Sequence, residues 1–158
     1  LMSAVRLLAL DFDGVMTDNR VLTTESGEEA VWCNRADGLG LEKVRNAGIN
    51  ILVISSETNP VVAARCKKLS IDCVQGIRNK LEILETKAKK LGVSREAVAY
   101  IGNDLNDLDC LKWAGVPIAV ADATPEVKQA SNLITLKQGG EGAVREVADW
   151  ITSIAQRP

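Results

Sequence analysis

Short apolar runs bounded by polar residues or glycine recur along the whole chain. Leu7–Leu10 is unbroken, 49–54 is broken only by Asn50, and 71–75, 98–101, 116–120 and 133–136 follow. Runs of this length, apolar on both faces, read as strands of a parallel sheet covered on both sides. Pro117 weakens the start of its strand, and 133–136 reads as an edge strand. The segments between them carry helical patterns. In 36–47 the apolar positions are Leu39, Leu41 and Val44, with Asp37 as the expected N-cap and Gly48 closing the helix. In 79–91, Leu81, Leu84 and Ala88 share one face, and Gly92 ends it. Pro60 suits the first position of a helix over 60–69. Further helices are expected up to about Trp113, over 125–130, and up to about Ile154. Strand and helix alternate throughout. That predicts an α/β fold with a Rossmann-like, doubly wound parallel sheet, a single domain over 1–158 and no cap domain. One segment breaks the alternation. Residues 17–34 hold two β-like runs, 20–23 and 29–33, around Glu25-Ser26-Gly27, and predict a β-hairpin flap rising from the loop after the first strand.

Composition narrows the chemistry. The chain has 158 residues, a net charge of −2, four scattered cysteines and no histidine. The charge suggests neither nucleic acid nor a membrane surface as a partner. No apolar run is long enough to span a bilayer. Too few residues precede the first strand for a signal peptide, Leu1 before Met2 being set aside, so a cytoplasmic protein with reduced thiols is expected. The lack of histidine excludes Ser-His-Asp and Cys-His catalysis and histidine-based metal sites. Carboxylates, lysine, hydroxyls and backbone amides remain.

Those groups gather at predicted strand ends. Asp11 and Asp13 follow the first strand, with Gly14 to turn the chain. Ser55 and Ser56 follow the second, and Asn103 and Asp104 the fourth. Lys80 starts the helix after the third. In an open α/β sheet these ends share one edge. Two close carboxylates call for a cation or a proton between them. Hard oxygen ligands select Mg²⁺ over zinc. A carboxylate nucleophile, Mg²⁺ and a lysine fit phosphoryl transfer through an aspartyl-phosphate.

Asp11-Phe12-Asp13-Gly14-Val15, Ser55, Lys80 and Gly102-Asn103-Asp104-Leu105-Asn106-Asp107 resemble, in order, the four motifs of the haloacid dehalogenase superfamily. Asp37-Gly38-Leu39-Gly40, Gln75-Gly76-Ile77-Arg78-Asn79-Lys80, Ala99-Tyr100-Ile101-Gly102, Val120-Ala121-Asp122-Ala123 and 139–146 are similar to its small capless branch, the octulosonate-8-phosphate and nononate-9-phosphate phosphatases. The resemblance implies Asp11 as nucleophile, Asp13 as general acid and base, and Ser55 and Lys80 on the phosphoryl oxygens. It implies Mg²⁺ on Asp11, the Asp13 carbonyl and Asn103, with Asp104 or Asp107 in support. It implies a substrate-facing set of Ser56, Glu57, Arg65, Lys68 and Asp37. The flap would pack into a homotetramer. Two departures stand out. Asn103 replaces the usual aspartate and removes one negative charge. Glu57, where octulosonate phosphatases carry arginine, points to a nine-carbon acid, with Arg65 and Lys68 free to bind its carboxylate. The alternative is a non-catalytic oligomerisation domain, related to those fused to acylneuraminate cytidylyltransferases.

Overall fold

The computed structural model describes residues 2–155; Leu1 lies outside them. In chain order the strands are β1 (Leu7–Leu10), β2 (Leu22–Thr23), β3 (Glu29–Ala30), β4 (Asn50–Ile54), β5 (Asp72–Val74), β6 (Val98–Gly102), β7 (Val116–Ala119) and β8 (Leu133–Ile134). The helices are α1 (Arg35–Asn46), α2 (Val61–Leu69), α3 (Lys80–Leu91), α4 (Leu108–Trp113), α5 (Pro125–Gln129) and α6 (Ala143–Ala155). Six strands form one parallel sheet in the order β5-β4-β1-β6-β7-β8. Every residue of β1, β6 and β7 is buried, as their unbroken apolar runs require. Pro117 is accommodated because its carbonyl still accepts from Asn132 N at 2.9 Å.

The chain steps from β1 out through β4 to β5, then returns across β1 to β6 and continues to β8. Right-handed crossovers place α1 and α2 on one face and α3, α4 and α5 on the other. After β8 the chain comes back to pack α6 on α1. The order of strands reverses between β1 and β6, and a crevice opens there at their carboxyl ends.

Two local expectations are corrected. The cap of α1 is Asn34, in an extended conformation, whose side chain accepts from Ala36 N at 2.8 Å. Asp37 lies inside the first turn and is buried; its Oδ1 accepts from Arg145 N at 2.9 Å. It therefore caps a helix, but the partner helix α6. The flap is also shorter than its sequence pattern, with two residues in each strand. A two-stranded ribbon with every residue from Asn19 to Ala30 exposed has no second layer to extend it. A bridge between Thr17 and Cys33 closes its base.

Burial pushes the Asp37 carboxyl up to about 6 from 3.8, against the Arg145 amide and the Arg65 charge. The folded state thus binds this proton more tightly than the unfolded state does. Its contribution to stability is full below 3.8 and is lost as pH rises through about 6. Asp37→Asn keeps an acceptor for Arg145 N and removes the titration. Urea unfolding at about pH 4 and about pH 7 should show a smaller fall in stability for the variant, by on the order of 2 kcal/mol. An equal fall in both proteins would contradict this.

Candidate active site

Asp11 continues β1 by donating its N–H to Ile101 O at 3.1 Å. Its own Oδ1 accepts from Phe12 N at 2.7 Å. The chain then turns. Phe12 O receives the amides of Val15 and Met16 at 3.2 and 2.8 Å, and Gly14 adopts φ +79°. Thr17 Oγ1 pins the turn by accepting from Gly14 N and Asn19 N, both at 3.1 Å. The turn brings the Asp13 carbonyl beside the Asp11 carboxylate, and Asn103, just beyond β6, faces both. One end of its side-chain amide lies 3.1 Å from Asp13 O and 3.2 Å from Asp11 Oδ2.

Behind these groups sits Lys80, at the start of α3. Its Nζ is 2.9 Å from Asp11 Oδ1 and 2.9 Å from Asp107 Oδ1, and no side chain of the three is more than 7% exposed. Asp107 also accepts from Tyr100 Oη at 2.7 Å and from Asn103 N at 3.0 Å. Burial and the Asp107 charge push the Asp11 carboxyl up to about 7, against the pull of Lys80. Burial alone would lower Lys80, but Asp11 and Asp107 outweigh it and hold the ammonium charged. Asp13 is half-buried, and its carboxyl is raised first by burial, then by Glu57, against Lys80.

Asp11 Oδ2, the Asp13 carbonyl and the Asn103 amide converge on one point with hard oxygen donors. That set fits a small divalent cation. Asp104 stands apart from it, exposed, with its Oδ1 capping Leu105 N at 2.7 Å. Together Asp104 and Asp107 form a capping box around the 3-10 turn Leu105–Asp107, and Asp107 is the one turned inward.

One strand over, Ser55 is buried and its Oγ accepts from Glu57 N at 3.1 Å, which leaves its hydrogen to donate. Ser56 is exposed and accepts from Asn106 Nδ2 at 3.3 Å. Glu57 Oε1 accepts from Thr58 N at 2.8 Å and Asn59 N at 3.0 Å, so half of this carboxylate caps its own loop. Between that loop and the flap lies a cavity of about 680 Å³ lined by Glu28, Glu29, Glu57, Thr58 and Asn59 among others. Arg65 and Lys68 line a different cavity of about 410 Å³, with Arg35 and Arg45. The structure thus places Asp11, Asp13, Ser55, Lys80 and Asn103 around one strand-end crevice and puts Ser56 and Glu57 on the adjoining loop. Arg65, Lys68 and Asp37 lie outside the cavity that Glu57 lines.

Sequence reasoning missed Tyr100, which reads as one more apolar strand residue, and the contact made by the 139–142 loop. Gly140 N donates to Val15 O at 3.1 Å, and Gly139 N to Asp122 Oδ1 at 2.9 Å. A Cβ on Gly139 would overlap the Gly14 carbonyl. The glycine run was the available signal; its spacing alone does not say which loop it meets.

Comparison with known proteins agrees with this geometry. Residues 49–147 match the family of haloacid dehalogenase-like hydrolases. The 3-deoxy-D-manno-octulosonate 8-phosphate phosphatase of Escherichia coli K12 is 38% identical over 148 residues, 93% of this chain and 79% of that one. A haloacid dehalogenase family hydrolase from Streptomyces avermitilis superposes with a TM-score of 0.93 at 43% identity, covering 96% of this chain and 87% of that one. The octulosonate 8-phosphate phosphatase of Moraxella catarrhalis, solved with magnesium, phosphate and the sugar acid, gives a TM-score of 0.93 at 36% identity, over 96% and 88%. By sequence and by structure, the chain belongs to the haloacid dehalogenase-like hydrolases, as a phosphoric monoester hydrolase.

Proposed function

We propose that the chain is a Mg²⁺-dependent phosphatase of a phosphorylated 2-keto-3-deoxy sugar acid, working through an aspartyl-phosphate. The observation that supports it most is the buried Asp11, with Oδ1 held by Lys80 and Phe12 N and Oδ2 aimed into the oxygen cluster. The Asp11 carboxylate attacks phosphorus in line with the leaving sugar oxygen. Asp13, its carboxyl raised, gives that oxygen a proton. It then takes one from the water that attacks the phospho-aspartate, which releases phosphate and restores Asp11. Ser55 Oγ–H and Lys80 donate to the phosphoryl oxygens as charge builds there. Asp11, the Asp13 carbonyl and Asn103 would hold Mg²⁺, which supplies positive charge that keeps Asp11 ionised and offsets the phosphate. Asp104 caps its own turn, and Asp107 supports the ligands through Asn103 N.

Two of the relatives named above, from Escherichia coli and Moraxella catarrhalis, are octulosonate 8-phosphate phosphatases and support an eight-carbon substrate. Glu57 supports a nine-carbon one. The cavity between the flap and the Glu57 loop carries Glu28, Glu29 and Glu57, acceptors suited to sugar hydroxyls and unsuited to a substrate carboxylate. The substrate carboxylate then lies away from this wall; Arg65 and Lys68, in their separate cavity, are not placed to receive it. Along the flap Val21, Leu22 and Trp32 are 54%, 65% and 73% exposed. That apolar surface supports assembly into a homotetramer, with a neighbour covering each site.

A panel of phosphorylated sugar acids assayed with Mg²⁺ tests this reading. Eight- or nine-carbon 2-keto-3-deoxy acid phosphates should turn over best. Asp11→Asn should lose at least about a thousandfold, roughly 4 kcal/mol of barrier. No hydrolysis of any ester by the parent would leave only an assembly domain.

Glu57 is tested separately. Glu57→Arg should change the ratio of kcat/KM between nine- and eight-carbon substrates about ten- to a hundredfold in favour of the shorter acid. A small generic ester should be little affected. Equal loss on all three would make Glu57 a loop cap and nothing more.

A further inference from the structure

We propose that Gln75 holds the loop 57–59 in its substrate-facing shape, and so gives the site its grip on the sugar acid without lining the cavity. The inference rests on the reading of Glu57 and its cavity as the sugar-binding wall, and it adds a positioning residue to that wall.

Two segments leave the sheet side by side after β4 and β5. Main-chain bonds zip their first residues together. Ser55 N donates to Val74 O at 2.9 Å, Ile77 N to Ser55 O at 3.2 Å and Gly76 N to Glu57 O at 3.0 Å. Ser55 is thus held by bonds that no side chain at 75 supplies. Beyond Glu57 a side chain takes over. Gln75 Nε2 donates to Glu57 O and to Asn59 O, both at 3.1 Å. Its Oε1 accepts from Ala63 N, also at 3.1 Å. Both amide hydrogens and the amide oxygen are used.

The two donated bonds fall on either side of Thr58. Glu57 grips the same residues from within, its Oε1 accepting from Thr58 N and Asn59 N. Asn59 in turn donates Nδ2 to Glu29 Oε2 of the flap. Glu29, Glu57, Thr58 and Asn59 line the cavity, and Gln75 does not. A shift of the Glu57 and Asn59 carbonyls would therefore swing the Glu57 carboxylate and loosen the tie to the flap. The third bond completes the start of α2. Val61 N and Val62 N donate to Asn59, and Ala64 N to Pro60 O. Pro60, at the cap position, has no side-chain bond to give, and Ala63 N is left to Gln75. One side chain ties the end of β5 to the loop and to the first turn of α2.

The test uses the whole chain and two variants. Gln75→Met keeps the length and removes all three bonds. Gln75→Glu keeps an acceptor for Ala63 N but sets an oxygen against two carbonyls with no hydrogen between. In amide exchange, Ala63 N–H should lose protection in Gln75→Met and keep it in Gln75→Glu, with Ile77 N–H protected in both. On the best sugar-acid phosphate of the panel, both variants should raise KM roughly tenfold with kcat within about threefold of the parent. For phenyl phosphate, too small to reach the loop, kcat/KM should change less than about twofold. Equal loss on the two esters, or an unchanged KM in Gln75→Glu, would overturn the inference and leave Gln75 a brace for α2. A parent that turns over phenyl phosphate as well as any sugar-acid phosphate would overturn the inference together with the sugar-binding wall it rests on.

Discussion

The ammonium of Lys80, shared between Asp11 and Asp107 out of reach of water, sets the terms for everything around it. Removing one partner of a buried ion pair leaves an uncompensated charge and costs about 3–5 kcal/mol. Each of the three residues therefore fixes the element that carries it: Asp11 the end of β1, Lys80 the first turn of α3, Asp107 the turn after β6. The trio has one positive and two negative charges, so it favours a further positive charge on the open side of Asp11. That is where the Asp13 carbonyl and Asn103 stand. The raised Asp11 carboxyl is the same imbalance seen as proton affinity.

The site has two ends of different character. The end around Asp11, Ser55 and Lys80 is buried and built from β1, β4, β6 and α3. The other end is open, acid-lined and bounded by the exposed flap, with Asn59 Nδ2 to Glu29 Oε2 at 3.0 Å joining flap to loop. On the proposed reading, the rigid groups serve the reaction common to all phosphate esters, and the looser wall is where one ester is told from another. The 139–142 loop pressed against the Gly14 turn holds the boundary between them.

The sheet was legible because its central strands are short, apolar on both faces and separated by clear helix patterns. Asp11, Asp13 and Ser55 were legible because polar residues directly after buried strands can only emerge at one edge, and Lys80 because it opens the helix that starts from that edge. Direction within a turn was not. Asp104 and Asp107 lie three apart at a helix start, and only tertiary contact with Lys80 and Tyr100 decides which one turns inward. Asp37 has the sequence of a cap for its own helix, but Asn34 occupies that role first and α6 supplies another amide. Arg65 and Lys68 follow Glu57 closely in the chain, yet α2 carries them to a separate cavity. The flap strands shortened because alternation without a covering layer does not fix a long ribbon.

Asp11 as nucleophile is tested most directly by quenching a single turnover in acid and locating the phosphoryl group by mass. A phosphate on the peptide containing Asp11, absent in Asp11→Asn and accumulating when Asp13→Asn slows the second step, is the expected result. Turnover at the parent rate with no phosphorylated Asp11, or with the label on Ser55, would contradict it.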